Sequence, residues 1–340
     1  MAEPEKDPIR VLIAMDFSEE LIENLRTVSD RLEIEQHHPS VPDAAYENVE
    51  VLYTARHFPM PSQAPNLRWV QIHSAGVERV LDRPTFQNTG VKLTSASGIH
   101  AVQMSEYCLG VMLHFHYRFS QMMQIKAQGK WPEKPYETFK PHGLRDLTLG
   151  IVGYGSIGRE LARFANALGM IVLATKRDIM HQAEDGAYTE SETGDPEGDI
   201  PERLYPPAAL GSMASECDFL VVTVPYTDAT HHMIDKNVLG RMKKSAVLIN
   251  VARGGVIDEA ALINVLKNGK IAGAGLDVFE EEPLPSSSPL WKLDNVLISP
   301  HVSGNTSRYH EKVAMLFAEN LQRYITGKRL LNLVDRDHGY

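Results

Sequence analysis

The chain has 340 residues, 43% of them hydrophobic and 23% charged, with a net charge of −10. That length suits two domains of ordinary size, and the composition is globular, which excludes disordered and collagen-like chains. An acidic balance with no clustered basic residues argues against DNA, RNA or an acidic membrane as partner.

The first residues, Met1 to Asp7, are acidic and have no apolar core, so no signal peptide is read there. Short apolar, β-branched runs then alternate with amphipathic stretches, the pattern of parallel α/β architecture. Val11–Met15, Val51–Tyr53, Trp69–Ile72 and Lys92–Thr94 are the predicted strands of a small first sheet. Ala101 to about Lys130, rich in Met, Leu, Phe and His, reads as one long helix or two abutting ones. Leu149–Val152, Ile171–Ala174, Leu220–Thr223, Ala246–Asn250, Ala272–Gly275 and Val296–Ile298 predict a second, larger sheet. From Ser307 to Ile325, Val313, Leu316, Phe317, Leu321, Tyr324 and Ile325 recur at helical spacing, with Gly327 as a stop.

A final helix placed after the second sheet can return to the first domain. The expected organisation is a discontinuous small domain over 1–100 and 303–340, interrupted by a second domain over 101–302. The apolar runs are far shorter than the ~20 residues that span a bilayer. Cys108 and Cys217 make no disulfide framework and lack metal-ligand spacing. Buried reduced thiols in a cytoplasmic protein without a metal are expected.

One stretch breaks the alternation. Between Asp178 and Pro206 lie Glu184, Asp185, Glu190, Glu192, Asp195, Glu197, Asp199 and Glu202, with no Lys or Arg from Gln182 to Glu202. It is expected to be a long, exposed acidic loop inserted after a strand, solvated and mobile.

Gly153, Gly155 and Gly158 form G-x-G-x-x-G behind the strand Leu149–Val152 and at the start of a helix. In that context the first glycine permits the turn and the second lets the backbone approach a pyrophosphate. The third lets helix and strand pack closely. The amides near Ser156 and Ile157 would face the phosphates at the helix N-terminus. A dinucleotide is therefore the expected cofactor, with Tyr154 inside its loop. An acid at the end of the next strand would bond a ribose 2′-hydroxyl, but Thr175 is followed there by Lys176 and Arg177. Two cations attract a 2′-phosphate, so NADP(H) is expected in preference to NAD(H). Asp178 reaches a ribose only if the turn is loose.

Three further residues form a catalytic set. Arg253 follows a buried-looking strand and precedes Gly254 and Gly255; its planar fork can pair with a carboxylate through two hydrogen bonds. His301 follows Ser299 and Pro300 at another strand end, where an imidazole can give a proton to a carbonyl oxygen. Glu282, before Pro283, can bond the far imidazole nitrogen, orient the ring and keep it protonated, with Glu280 and Glu281 as rivals. His37, His38, His114, His116, His231 and His232 have no such setting and are assigned no role.

The glycine loop, the segment Asn250 to Gly255, Gly275 to Pro283, and Ser299-Pro300-His301 together resemble the D-isomer-specific 2-hydroxyacid dehydrogenase family, from about Trp69 to the C-terminus. The resemblance is to its glyoxylate and hydroxypyruvate reductases. It implies two Rossmann/flavodoxin-like α/β domains, the nucleotide-binding one inserted into a discontinuous, smaller substrate-binding one. Arg253, Glu282 and His301 match the family's carboxylate-binding arginine and its proton-transfer pair. Asp277 matches an acid near the nicotinamide carboxamide, and Val224, Pro225 and Ala252 match cofactor-lining positions. Ser74, Ala75 and Gly76 match a small-domain turn whose amides take the substrate carboxylate. Glu106 matches a position in the interdomain helix. Lys176 and Arg177 depart from the family's NAD-selecting acid, and the acidic insert is longer than its norm.

The implied activity is NAD(P)H-dependent reduction of 2-keto acids to D-2-hydroxy acids, and the reverse, in a cleft that closes between the domains. Candidate pocket walls are Tyr53, Phe58 and Met104. A homodimer is expected by analogy, with Ala101–Met123 as its surface or, alternatively, as internal core. The alternative reading is a dinucleotide-sensing corepressor-like scaffold with little turnover, for which the acidic insert is the candidate partner-binding extension.

Overall fold

The computed structural model describes residues 7–87, 90–183, 186–336 and 339. The acidic start over residues 1–6, the last residues of the chain, and Glu184 and Asp185 of the acidic stretch lie outside the described residues. In chain order, β1 (Ile9–Ala14), helix α1 (Glu19–Arg26), β2 (Leu32–Gln36), β3 (Val51–Thr54), β4 (Trp69–Ile72) and β5 (Lys92–Thr94) come first. Helices α2 (Ala101–His116), α3 (Phe119–Gln128) and α4 (Pro135–Thr138) lead to β6 (Thr148–Val152), α5 (Ser156–Ala167) and β7 (Ile171–Thr175). There follow β8 (Arg203–Tyr205), α6 (Leu210–Glu216), β9 (Phe219–Val222), α7 (Lys236–Leu239) and β10 (Val247–Asn250). Last come α8 (Glu259–Lys267), β11 (Gly273–Leu276), β12 (Val296–Ile298) and α9 (Tyr309–Ile325).

The chain divides into two compact units, with boundaries between Ile99 and His100 and between Asn305 and Thr306. Residues 186–190 of the acidic stretch belong to the first unit, an excursion that the expected crossings near 100 and 302 do not include.

In unit 1 the parallel strands run in the order β2-β1-β3-β4-β5. All of β3 and β4 is buried, including the polar Thr54 and Gln71, so neither strand shows the alternation of a half-buried one. Helix α9 lays Val313, Leu316, Phe317 and Leu321 against Ile13, Tyr53 and Trp69. Strand β2 was not among the predicted strands. It is an edge strand whose Glu33 and Glu35 face water between buried Leu32 and Ile34, and the two charges hide its pattern.

In unit 2 seven parallel strands run β12-β11-β10-β9-β6-β7-β8. Strand order therefore reverses between β6 and β9, and the crevice beyond their carboxyl ends is where open α/β sheets bind ligands. The long helical segment is two helices, parted where Arg118 takes a left-handed backbone at φ 57°. Helix α2 fits closely on β11, because a Cβ on Gly273 or Gly275 would stand 2.5 Å from the Phe115 ring or 2.4 Å from Val111 Cγ1. Met104, Cys108, Val111 and Met112 are accordingly core residues. One face of α2 is thus internal, as the alternative reading has it, while Glu106 and Gly110 on the same helix are exposed, and α3 has no buried residue and exposes Phe119, Met122 and Met123.

Beyond β7 the acidic stretch is packed against the protein, where a solvated excursion was expected. Asp195 is 5% exposed, and Glu190 pairs with the ammonium of buried Lys312 at 2.5 Å. The cations and donors that the stretch lacks come from elsewhere in the chain: Arg159, Lys176 and Lys312. Local composition cannot show partners as remote as Arg159 and Lys312. Its end forms β8, a short edge strand on β7 that was also not predicted.

Candidate active site

The glycine loop leaves β6 at the switch point. Gly153 has φ 102°, and a Cβ there would lie 2.7 Å from Val224 Cγ1, so Gly153 and Val224 close the crevice between β6 and β9. Its amide donates to Thr175 Oγ1 at 3.0 Å, tying the loop to the end of β7. A Cβ on Gly158 would meet the Gly153 carbonyl oxygen at 2.4 Å and Ile151 at 2.9 Å. Gly155 differs: a Cβ there would meet nothing within 4 Å. No contact among the described residues requires that glycine, and a ligand's phosphate could approach the backbone there. Gly155 is also the N-cap of α5 and provides no side-chain cap, which leaves the first-turn amides of Ser156 and Ile157 to an outside acceptor. The loop fits a dinucleotide pyrophosphate.

Tyr154 contributes only backbone to that cradle. Its side chain is 3% exposed and donates to Asp195 Oδ2 at 2.5 Å. At the end of β7, Lys176 does not stand open toward a 2′-phosphate. Its ammonium donates to the carbonyls of His181, Gln182 (2.9 Å) and Ala183 (3.4 Å). Arg177 is exposed. Asp178 accepts from the amides of Met180 and His181 and lies 2.6 Å from His181 Nδ1, bonds that hold its carboxyl below the usual range. It caps its own turn.

Arg253 is set by Asn250, a buried amide at the end of β10. Its Oδ1 accepts from Ala252 N at 3.1 Å and its Nδ2 donates to Arg253 O at 3.0 Å, which folds the turn back on itself. Arg253 Nη1 donates to Ala252 O at 2.8 Å. The next residue lies against a second segment: a Cβ on Gly254 would be 1.8 Å from the Phe279 carbonyl carbon. Only glycine allows the arginine turn and the Phe279–Glu282 turn to touch.

Glu282 ends that second turn. Its Oε1 accepts from Phe279 N at 3.1 Å and its Oε2 lies 2.8 Å from His301 Nδ1. Both side chains are partly exposed, at 36% and 49%. Glu280 faces elsewhere, 2.8 Å from His232 Nε2. His301 has φ 55°, a left-handed backbone that a non-glycine residue adopts only when its surroundings impose it. Asp277 is the cause. Its carbonyl accepts from His301 N at 2.9 Å, and its fully buried carboxylate accepts from Ser299 Oγ (2.6 Å), Val302 N (2.8 Å) and Ser303 N (2.9 Å). Tyr107 of α2 lies 2.6 Å from Ser299 Oγ, and burial pushes its phenol up to about 12. Tyr107 and Ser299 have no signal in the sequence beyond Ser299 preceding Pro300, since their role depends on α2 lying on the sheet. Glu106 on the same helix is exposed.

In unit 1 the Ser74–Gly76 turn follows β4, with Ser74 Oγ donating to Gly76 O at 2.8 Å. Tyr309 of α9 donates to His73 O at 2.8 Å and Tyr53 OH lies 2.8 Å from His73 Nδ1. Tyr53 is wholly buried and Met104 is a core residue, so neither is the pocket wall that was expected. Tyr53 lies inward because His73 satisfies its hydroxyl. Phe58 packs on Phe86 with ring centroids 6.0 Å apart.

Residues 109–303 match the family model of the D-isomer specific 2-hydroxyacid dehydrogenase NAD binding domain. A glyoxylate reductase of Thermofilum pendens is 34% identical over 276 residues, which are 81% of this chain and 76% of that protein. A D-isomer specific 2-hydroxyacid dehydrogenase family protein of Aeromonas salmonicida has a similar structure, with a TM-score of 0.78 and 30% identity over 97% of this chain and 100% of that one. A D-isomer specific 2-hydroxyacid dehydrogenase of Xanthobacter autotrophicus, solved with NADPH and MES, also has a TM-score of 0.78, at 26% identity over 98% of this chain and 100% of that one. Sequence likeness over 81% of the length, on the same two-sheet fold, makes this chain a member of the D-isomer-specific 2-hydroxyacid dehydrogenase family.

Proposed function

We propose that this chain reduces small 2-keto acids to D-2-hydroxy acids with a nicotinamide dinucleotide, NADP(H) in preference to NAD(H). The His301–Glu282 pair, held on a loop that a buried aspartate clamps, carries the reading. When bound, the nicotinamide supplies a hydride to the carbonyl carbon. Arg253 holds the substrate carboxylate and so orients the carbonyl. Glu282 accepts from His301 Nδ1, so the proton that goes to the carbonyl oxygen leaves from Nε2. Carbon gains the hydride, oxygen gains the proton, and the ring is left neutral for reprotonation. The glyoxylate reductase relative favours this reading over a corepressor-like scaffold.

The cofactor preference is supported by the exposed Arg177 at the end of β7, by Asp178 being occupied in its own turn, and by the NADPH in the Xanthobacter structure. The proposal includes a homodimer, which the exposed apolar residues Met123 and Trp131 support, and a cytoplasmic setting, which two buried free thiols support. No helix among the described residues is long and apolar enough to cross a membrane.

The test is a set of initial rates for 2-keto acids from glyoxylate to phenylpyruvate, each with NADPH and NADH, alongside His301→Ala. NADPH-dependent turnover is expected, with His301→Ala lowering kcat by about a hundredfold or more. Equal or better efficiency with NADH would overturn the cofactor preference. Near wild-type turnover by His301→Ala would overturn the proton donor. No turnover with either cofactor would overturn the reductase.

A further inference from the structure

The acidic insert between β7 and β8 has no part in that mechanism, yet it is joined to the nucleotide loop itself. Tyr154 stands between the two glycines that shape the phosphate cradle, and its hydroxyl donates to Asp195 of the insert at 2.5 Å. The guanidinium of Arg159, in the first turn of α5, lies 4.8 Å from the Tyr154 ring centroid and donates to the carbonyls of Asp195 and Gln182. Arg159 is 1% exposed, so these contacts occupy a cation that would otherwise be costly to bury. On the next residue, the buried carboxylate of Glu160 accepts from Gly194 N at 2.6 Å. Residues on both sides of Ser156 and Ile157, whose amides would face a bound pyrophosphate, are therefore fastened to one segment.

Asp195 is the centre of that fastening. Its Oδ1 accepts from Gly198 N (3.2 Å) and Asp199 N (3.3 Å), and its Oδ2 from Ile200 N (3.2 Å) as well as from Tyr154. Burial alone would push its carboxyl up, but these hydrogen bonds outweigh burial and hold it below the usual range. The opposite end of the insert is fixed by Lys176 through the carbonyls of residues 181–183, and a Cβ on Gly198 would stand 2.5 Å from the Gln182 carbonyl oxygen, so the two ends also touch.

We propose that the insert is a brace for the dinucleotide loop, and that Asp195 is a positioning residue through which it acts on cofactor affinity. The inference rests on the dinucleotide reading of the Gly153–Gly158 loop. Asp195 touches no substrate, so its effect falls on cofactor binding and spares the chemical step. Tyr154 and Asp195 act as one unit, because a single bond links them.

The test is NADPH binding to the full chain, by fluorescence titration, for the unsubstituted protein, Asp195→Asn, Tyr154→Phe and the double variant, with Tm and steady-state rates beside it. Each single substitution is expected to raise the NADPH Kd about tenfold, the effect of losing one charge-assisted hydrogen bond. The double variant should be within about twofold of the weaker single, since both remove the same contact. With NADPH saturating, Asp195→Asn should keep kcat and the keto-acid KM within about twofold of the unsubstituted values. If Asp195→Asn does not fold, Tyr154→Phe, which deletes one hydroxyl, carries the same expectation for Kd. A lowered Tm with an NADPH Kd within about twofold of the unsubstituted protein would overturn the brace and leave the insert a fold-stabilising element only. Losses that simply add in the double variant would overturn Asp195 as the route. Failure of the unsubstituted protein to bind either NADPH or NADH would overturn the dinucleotide reading, and the brace with it.

Discussion

Gly155→Ala separates what the protein needs from what its ligand needs. The backbone at Gly155 has φ −97°, which alanine adopts without strain, and the added methyl would meet no atom within 4 Å. Two small effects on stability oppose each other. Alanine lowers the entropy of the unfolded chain, a gain of about 0.4–1 kcal/mol. As an N-cap it is poorer than glycine, a loss of about 0.5–1 kcal/mol. The sum is near zero, so Tm should move by no more than about 2–4 °C. Cofactor binding has no such cancellation, because the methyl occupies the space where the pyrophosphate meets the backbone. Overpacking by one methyl costs about 1–3 kcal/mol, which is about 5- to 150-fold in Kd. The assay is differential scanning fluorimetry without cofactor, paired with NADPH titration. An unchanged Kd would refute the pyrophosphate assignment, and a Tm loss of about 10 °C or more would refute the claim that the space is unused by the protein. Gly153→Ala is the control: at φ 102° and 2.7 Å from Val224 it should lose stability as well as affinity.

Gly254→Ala should lower kcat by about a hundredfold and also lower Tm, because its Cβ would overlap the Phe279 backbone and must part the arginine turn from the Glu282 turn. Steady-state kinetics with wild-type kcat would show that the two turns need not touch. Arg253→Lys should raise the keto-acid KM by about tenfold or more with NADPH affinity unchanged, since an ammonium lacks the two-pronged geometry; equal KM values would remove Arg253 from carboxylate binding. The thiols give a pH prediction. Burial pushes Cys217 up to about 12 and Cys108 higher, whereas unfolded thiols ionise near about 8.5. The folded protein keeps its protons where the unfolded chain has lost them, so stability should fall as pH rises from about 8.5 toward 12. Urea titrations at pH 8 and pH 10 measure this, and equal midpoints would contradict it.

Strands β4, β5 and β12 have the predicted limits; β4 is buried throughout, whereas β5 and β12 are edge strands that were legible from their short Leu-, Val- and Ile-containing runs. The misses, β2 and β8, are both edge strands with charged residues, where one face reads as loop. The candidate catalytic side chains stood out in the sequence, Arg253 and His301 by their places at strand ends and Glu282 by its place before Pro283, but most of the contacts that hold them did not. Asn250, Asp277, Ser299 and Tyr107 act through contacts that exist only after the sheet has formed and α2 has packed on it. The acidic insert was misread for the same reason. Its charge count says solvent, while its anchors, Arg159 and Glu160, lie in a helix that precedes it in the chain.

Unit 2 contains two histidine–glutamate contacts of equal length, His301–Glu282 and His232–Glu280, both at 2.8 Å. Both histidines also have a left-handed backbone, so neither distance nor strain chooses between them. The bonded nitrogen does. Glu280 engages His232 at Nε2, the ring atom farthest from the backbone, and the ring is stacked on His231 with centroids 3.9 Å apart. Its carboxylate also accepts from Glu259 N, so that pair links the end of one segment to the start of α8. Glu282 engages His301 at Nδ1, the near nitrogen, and leaves Nε2 for an outside partner. A proton donor needs that arrangement: base on the inner nitrogen, proton on the outer one. It also needs a ring whose position does not drift, which the three donors gathered by the Asp277 carboxylate provide. The sequence singled out Glu282 for His301 and gave His232 no partner; only the fold shows which nitrogen each glutamate takes, and that difference favours His301–Glu282 over His232–Glu280 as the proposed proton-transfer pair.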